Sequence, residues 1–157
     1  MSRYVLVETL TSVAVNAAIS AAFVFFIFGG KAEIGLWGPG GLALDFVPQT
    51  FMIAMMSVLV PTALTRRRIQ AGAVRTRNCR RSRLPRRLAI RALLVAAVAT
   101  LGLGGAAIAI LAASCSGPLS FAALLGLKIG YGAIVASLVT PVALRAALSD
   151  GRLGDAA

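Results

Sequence analysis

Four long apolar runs constrain this chain more than anything else in it. They extend from about Leu10 to Phe28, Phe46 to Leu64, Ala92 to Ala113 and Leu119 to Leu144. The shortest has 19 residues. At a rise of about 1.5 Å per residue it spans about 28 Å as a helix, close to the ~30 Å hydrocarbon core of a bilayer. A chain of 157 residues that is 59% hydrophobic, with a mean hydropathy of +0.88, has more apolar surface than a water-soluble domain of its size can cover. The expected fold is an all-α, integral membrane four-helix bundle. It forms a single domain over residues 1–157, with helices at about 5–28, 46–65, 88–113 and 119–147. The first run is too long for a cleaved leader. Phe28-Gly29-Gly30-Lys31 is not a small-x-small cleavage site either.

The basic residues set the expected orientation. The net charge is +11, and eleven of the sixteen Lys and Arg fall between Arg66 and Arg91, all of them Arg. Arg3, Arg145 and Arg152 belong to the same side, and only Lys31 lies in a loop on the other. This asymmetry predicts that both termini and the 66–91 loop are cytoplasmic, at the inner (plasma) membrane of a bacterium. Cys79 and Cys115 then fall on opposite sides and cannot bridge within one chain. Histidine is absent. Neither a metal site nor a cofactor is expected.

Within the 66–91 loop, Arg66, Arg67, Arg68, Arg80, Arg81, Arg86 and Arg87 are the expected contacts to anionic lipid headgroups, since no acidic residue in the loop offsets them. The loop has no aromatic side chain on which a base could stack, so nucleic acid is not an expected partner. The outer loop at 29–45 carries six glycines and Pro39 beside Ile34, Leu36, Trp37, Leu42 and Leu44. It reads as a turn-rich segment lying on the bilayer surface, with Trp37 in the interfacial belt. Its glycines follow a helix and match no phosphate-cradling spacing.

Two segments resemble each other. Ser57, Pro61, Ala63 and Leu64 recur as Ser137, Pro141, Ala143 and Leu144, at an offset of 80 residues. Either two helical hairpins are related by duplication, as in some transporters, or low-complexity apolar sequence has converged by chance. Pro61 and Pro141 each remove an N–H and crowd the carbonyl four residues back, so a bend is expected in the second and fourth helices.

Polar residues within the runs are the candidate functional positions. Glu8, Ser12, Asn16 and Ser20 stand four apart and form one stripe facing other helices, with Asn16 nearest mid-membrane. Asp45 suits the N-cap of the second helix and Pro48 its first turn. Gln49 lies one turn beyond Asp45. Met52, Met55 and Met56 read as packing residues. Lys128 is the one Lys or Arg well inside a run, where an unpaired charge is costly. A helical lysine points back toward its helix N-terminus, so Lys128 is expected to reach Asp45 and Gln49. Gly126 and Gly130, with Gly105 and Ala109, form small-xxx-small faces and predict close packing of the third helix on the fourth, or self-association.

No nucleophile and base stand near each other, and no close carboxylate pair lies in a run, so the chain does not read as an enzyme. Two function classes follow. One is an accessory or scaffolding subunit that packs through small-residue faces, in a homo-oligomer or a larger membrane complex. The other is a small oligomeric transporter or channel working through Glu8, Asn16, Gln49 and Lys128.

Overall fold

The computed structural model describes residues 3–30, 33–35, 37–38, 41–74, 84–85, 87–114 and 117–151. It is all-helical apart from two strands of two residues each. The order is α1 (Arg3–Phe28), β1 (Glu33–Ile34), α2 (Leu42–Gln70), α3 (Leu88–Ser114), β2 (Leu119–Ser120) and α4 (Phe121–Gly151). All four helices are long and apolar enough to cross a membrane. The end where α1 starts and α2 stops is here termed the basic end, and the opposite one the loop end.

Helix boundaries differ from expectation where local chemistry favours extension. α2 starts at Leu42, with Gly41 as N-cap, so the loop after α1 is shorter than 29–45. Leu42 and Ile34 are buried in the core rather than lying on a surface, while Trp37 and Leu44 are exposed. α2 continues past the apolar run to Gln70 and stops at Gly72, which has φ +71°. There the Gly72 N–H donates to the Ile69 carbonyl and the Ala73 N–H to that of Arg68, the paired bonds of a Schellman cap. Residues 119 and 120, expected to begin the last helix, pair instead with β1 in antiparallel register, Glu33 opposite Ser120 and Ile34 opposite Leu119. Pro61 and Pro141 both lie inside unbroken helices.

α3 is not a uniform helix. Thr100–Gly104 is a π-helical turn between two α-helical parts. The Thr100 hydroxyl donates to the Ala96 carbonyl at 2.8 Å, and three glycines at 102, 104 and 105 follow. A side-chain bond back into the ladder and residues without Cβ both favour local widening.

Helix packing follows an exchanged pattern. α2 and α4 run side by side through the centre. α1 packs along α4, and α3 packs along α2, while backbones of the same hairpin seldom approach each other. The two loops meet as β1 and β2. This is the arrangement that two hairpins related by a two-fold axis along the bundle would make. The core beneath comprises Ile53, Ala54 and Val58 of α2, Ala92, Ala96 and Ala99 of α3, and Val135, Ala136, Val139 and Ala143 of α4. The alanines of α3 let its backbone come close to α2.

The expected packing of α3 on α4 through small residues is overturned. Gly105, Ala109, Gly126 and Gly130 are all exposed, and a Cβ added at Gly105, Gly126 or Gly130 would meet nothing within 4 Å. The close approaches use other glycines. A Cβ at Gly132 of α4 would lie 2.5 Å from the Ser20 hydroxyl of α1, and one at Gly104 of α3 would lie 3.3 Å from the Thr50 hydroxyl of α2.

Candidate functional site

The polar stripe of α1 is shared between the two central helices. Its members turn alternately to α2 and α4. Glu8 pairs with Arg68 of α2. The Thr140 hydroxyl of α4 donates to that of Ser12 at 2.9 Å. Asn16, 5% exposed, donates from Nδ2 to the Ser57 hydroxyl of α2 at 3.3 Å and to the Ser12 carbonyl at 2.8 Å. Ser20 sits against Gly132 of α4, buried, with no hydrogen-bond partner for its hydroxyl.

Lys128 reaches across from α4 to α2. Its ammonium pairs with Asp45 Oδ2 and donates to Gln49 Oε1 at 2.5 Å. It also stands 4.3 Å from the centroid of the Phe46 ring, so one turn of α2 supplies a carboxylate, an amide and an aromatic face to one cation. The lysine side chain is 1% exposed and that of Asp45 26%. Asp45 is therefore not the N-cap; it lies in the first turn and its carboxylate is engaged by Lys128. Pro48 lies beyond the first turn, inside the helix.

A polar relay continues toward α3. The Phe46 ring meets Tyr131 edge to face, with centroids 4.8 Å apart. The hydroxyls of Tyr131 and Thr50 share a hydrogen bond at 2.5 Å, and Thr50 is the residue against Gly104 in the π turn.

At the basic end, the arginines do not all face outward as expected. Arg66 pairs with Asp150 at 2.9 Å, and Arg91 pairs with the same carboxylate at 2.7 Å. Arg91 is fully buried and also donates from Nε to the Pro85 carbonyl at 2.9 Å. Arg68 binds Glu8 and lies 5.8 Å from the centroid of the Tyr4 ring, whose hydroxyl bonds Thr65 at 2.9 Å. Acidic residues on α1 and α4 therefore offset part of a charge that has no acidic neighbour in sequence. Arg67 and Arg87 are exposed. Arg80, Arg81, Arg86, Lys31, Arg152, Cys79 and Cys115 lie outside the described residues.

Arg91 and Asp150 are brought together by the fold without a shared sequence pattern. Arg91 reads as the end of the basic loop, although its place directly before the run that opens at Ala92 is a usable signal of burial. Asp150 lies past the expected end of the fourth helix at 147, and the helix's continuation to Gly151 carries it to the two arginines.

From Asn16 to the loop end, α1 and α2 stand apart and frame a groove of about 440 Å³ on the flank of the bundle. Its walls are mostly apolar, from Ile19, Phe23 and Ile27 of α1 and Met52 and Met56 of α2, and its polar residues are Asn16, Ser20, Asp45, Gln49 and Lys128. Met52 and Met56 thus edge a cavity and do not simply pack in the core. Among the described residues no three His, Cys, Asp or Glu side chains converge as metal ligands would. Comparison with protein families, curated proteins and solved structures finds no match to this chain.

Proposed function

We propose that this chain is a non-enzymatic accessory subunit of a membrane assembly, a bundle that offers its outer helix faces to a transmembrane helix of another chain. The observation that carries this reading is the exposure of two small-residue faces, Gly126 with Gly130 on α4 and Gly105 with Ala109 on α3, with no helix of the same chain against them. In lipid, such faces let a second backbone approach closely, and helix association there depends on that close packing. Asn16 and Ser57, and Ser12 and Thr140, point the other way, into the bundle, where they bond each other.

The orientation belongs to the same proposal. Both termini and the arginine segment face the cytoplasm of a bacterial inner membrane, by the excess of Arg at that end. Arg67 and Arg87, exposed there, meet anionic headgroups. The transporter reading draws on the same polar residues, but it needs more than one copy. Within a single chain the groove ends at Asn16, and inward of it Asn16 is bonded to Ser57 and Ser12 to Thr140.

The test is native mass spectrometry of protein taken gently from its own membrane, beside a Gly126→Leu/Gly130→Leu variant. Nothing within 4 Å obstructs a side chain at either glycine, so the variant is expected to keep its fold and melting temperature while losing its partner chain. A wild-type protein that emerges as a bare monomer would overturn the reading.

A further inference from the structure

We infer that the groove between α1 and α2 is a binding site for a neutral, single-chain lipid bearing hydroxyls and an ester carbonyl, of the monoacylglycerol type. This site is separate from the small-residue faces of the proposed assembly and does not depend on them.

Three observations lead to this ligand. The first is size. A cavity of about 440 Å³ lies in the lower part of the ~300–1,000 Å³ range of small-molecule sites, and suits one chain with a compact head. The second is charge. The ionised groups lining the groove are Lys128 and Asp45, which are paired and sum to zero. A phosphate or carboxylate head would bring an uncompensated charge beside an ammonium already committed to its partner, in a place with little access to water.

The third is the set of hydrogen-bonding groups the protein leaves unused. Lys128 engages one oxygen of Asp45 and the amide oxygen of Gln49. The second Asp45 oxygen can accept from a ligand hydroxyl, and the Gln49 amide N–H can donate to one. Deeper in the groove Ser20, 3% exposed, has a hydroxyl without a partner. Burying a hydroxyl unbonded costs free energy. Ser20 lies against Gly132, one turn along α4 from Lys128, hence about 5 Å deeper than the ammonium. That is the interval from a terminal glycerol hydroxyl to the ester carbonyl, which would accept from Ser20. The acyl chain then lies on Phe23, Ile19, Met52 and Met56, which face the flank where lipid tails would be.

The experiment uses the full chain in nanodiscs of phosphatidylglycerol and phosphatidylethanolamine, titrated with 1-monooleoylglycerol and read by native mass spectrometry. One molecule per chain is expected to bind and to resist displacement by oleate or excess phospholipid. Met52→Trp, at an exposed position on the groove wall, is expected to abolish binding by filling the groove. Ser20→Ala removes a buried hydroxyl that bonds to nothing in the protein, so the melting temperature should hold or rise while affinity falls about fivefold. Equal binding by oleate, binding that survives Met52→Trp, or no binding to the wild type would each overturn the assignment.

Discussion

The two crevices beside the central α2–α4 pair occupy equivalent places and are filled in opposite ways. On one flank, between α3 and α4, apolar side chains meet: Ile108 and Leu111 of α3 join a cluster with Phe46 of α2 and Leu124, Leu127 and Tyr131 of α4. α3 is held beside this cluster by its close approach to α2, Gly104 in the π turn against Thr50. On the other flank, between α1 and α2, a groove is left, and the polar residues beside it are braced by an ion pair instead of being replaced by packing. A buried ion pair contributes little net stability but is costly to break. An open crevice with a buried ion pair at its edge is therefore a poor way to stabilise a bundle and a good way to keep a site.

Breaking the brace should have the largest effect. Asp45→Asn leaves the Lys128 ammonium buried without its counter-charge, and is expected to destabilise the protein by about 3 kcal/mol, the low end for a buried pair because Asp45 is partly exposed. Asp45→Leu combined with Lys128→Met should recover most of that loss in an unfolding titration in mixed micelles. Strictly additive single effects would mean the pair is not a brace. Next comes the α1–α4 contact. Gly132→Val drives a side chain into Ser20, and should cost about 2 kcal/mol by pushing α1 away from α4.

Single hydrogen bonds should matter less, and about equally whether they tie α1 or α4 to α2. Ser57→Ala removes the Asn16 contact and Tyr131→Phe removes the Thr50 contact, each for about 0.6 kcal/mol, the average for such bonds between membrane helices. The smallest effect is expected at Gly104→Ala. Its new methyl meets the Thr50 hydroxyl at a tight 3.3 Å, but the better helix propensity of alanine offsets the crowding, leaving a net change within about 0.5 kcal/mol. A large loss there would show that the π turn needs that glycine.

Much of this was legible in the sequence, for identifiable reasons. Hydropathy runs locate helices because backbone groups in an apolar solvent must be bonded within the segment. Lys128 could be placed near Asp45 and Gln49 because a helical lysine leans toward its N-terminus, and the three residues share one end of the bundle. The inward turn of Glu8, Ser12, Asn16 and Ser20 followed from their four-residue spacing. What could not be read was which helix packs on which. Small-xxx-small faces permit close approach without naming the partner, and Gly105, Ala109, Gly126 and Gly130 turn outward while Gly104 and Gly132 make the contacts. Nor could the capping role given to Asp45 hold, since the helix begins at Leu42 once Ile34 and Leu42 are drawn into the core. The ion pairs of Arg66, Arg68 and Arg91 with Glu8 and Asp150 join residues at least 59 positions apart, beyond any local pattern.

The exchanged packing of the two hairpins is the central claim, and paired cysteines introduced with Cys79→Ser and Cys115→Ser test it most directly. Ser12→Cys with Thr140→Cys joins α1 to α4, and Thr50→Cys with Gly104→Cys joins α2 to α3. Ala109→Cys with Gly126→Cys joins α3 to α4 only if the small-residue faces meet. With a short cross-linker at low protein density, the first two pairs should form intramolecular products and the third none. An intramolecular Ala109–Gly126 product in the absence of the other two would contradict the exchanged arrangement and return α3 to the face of α4.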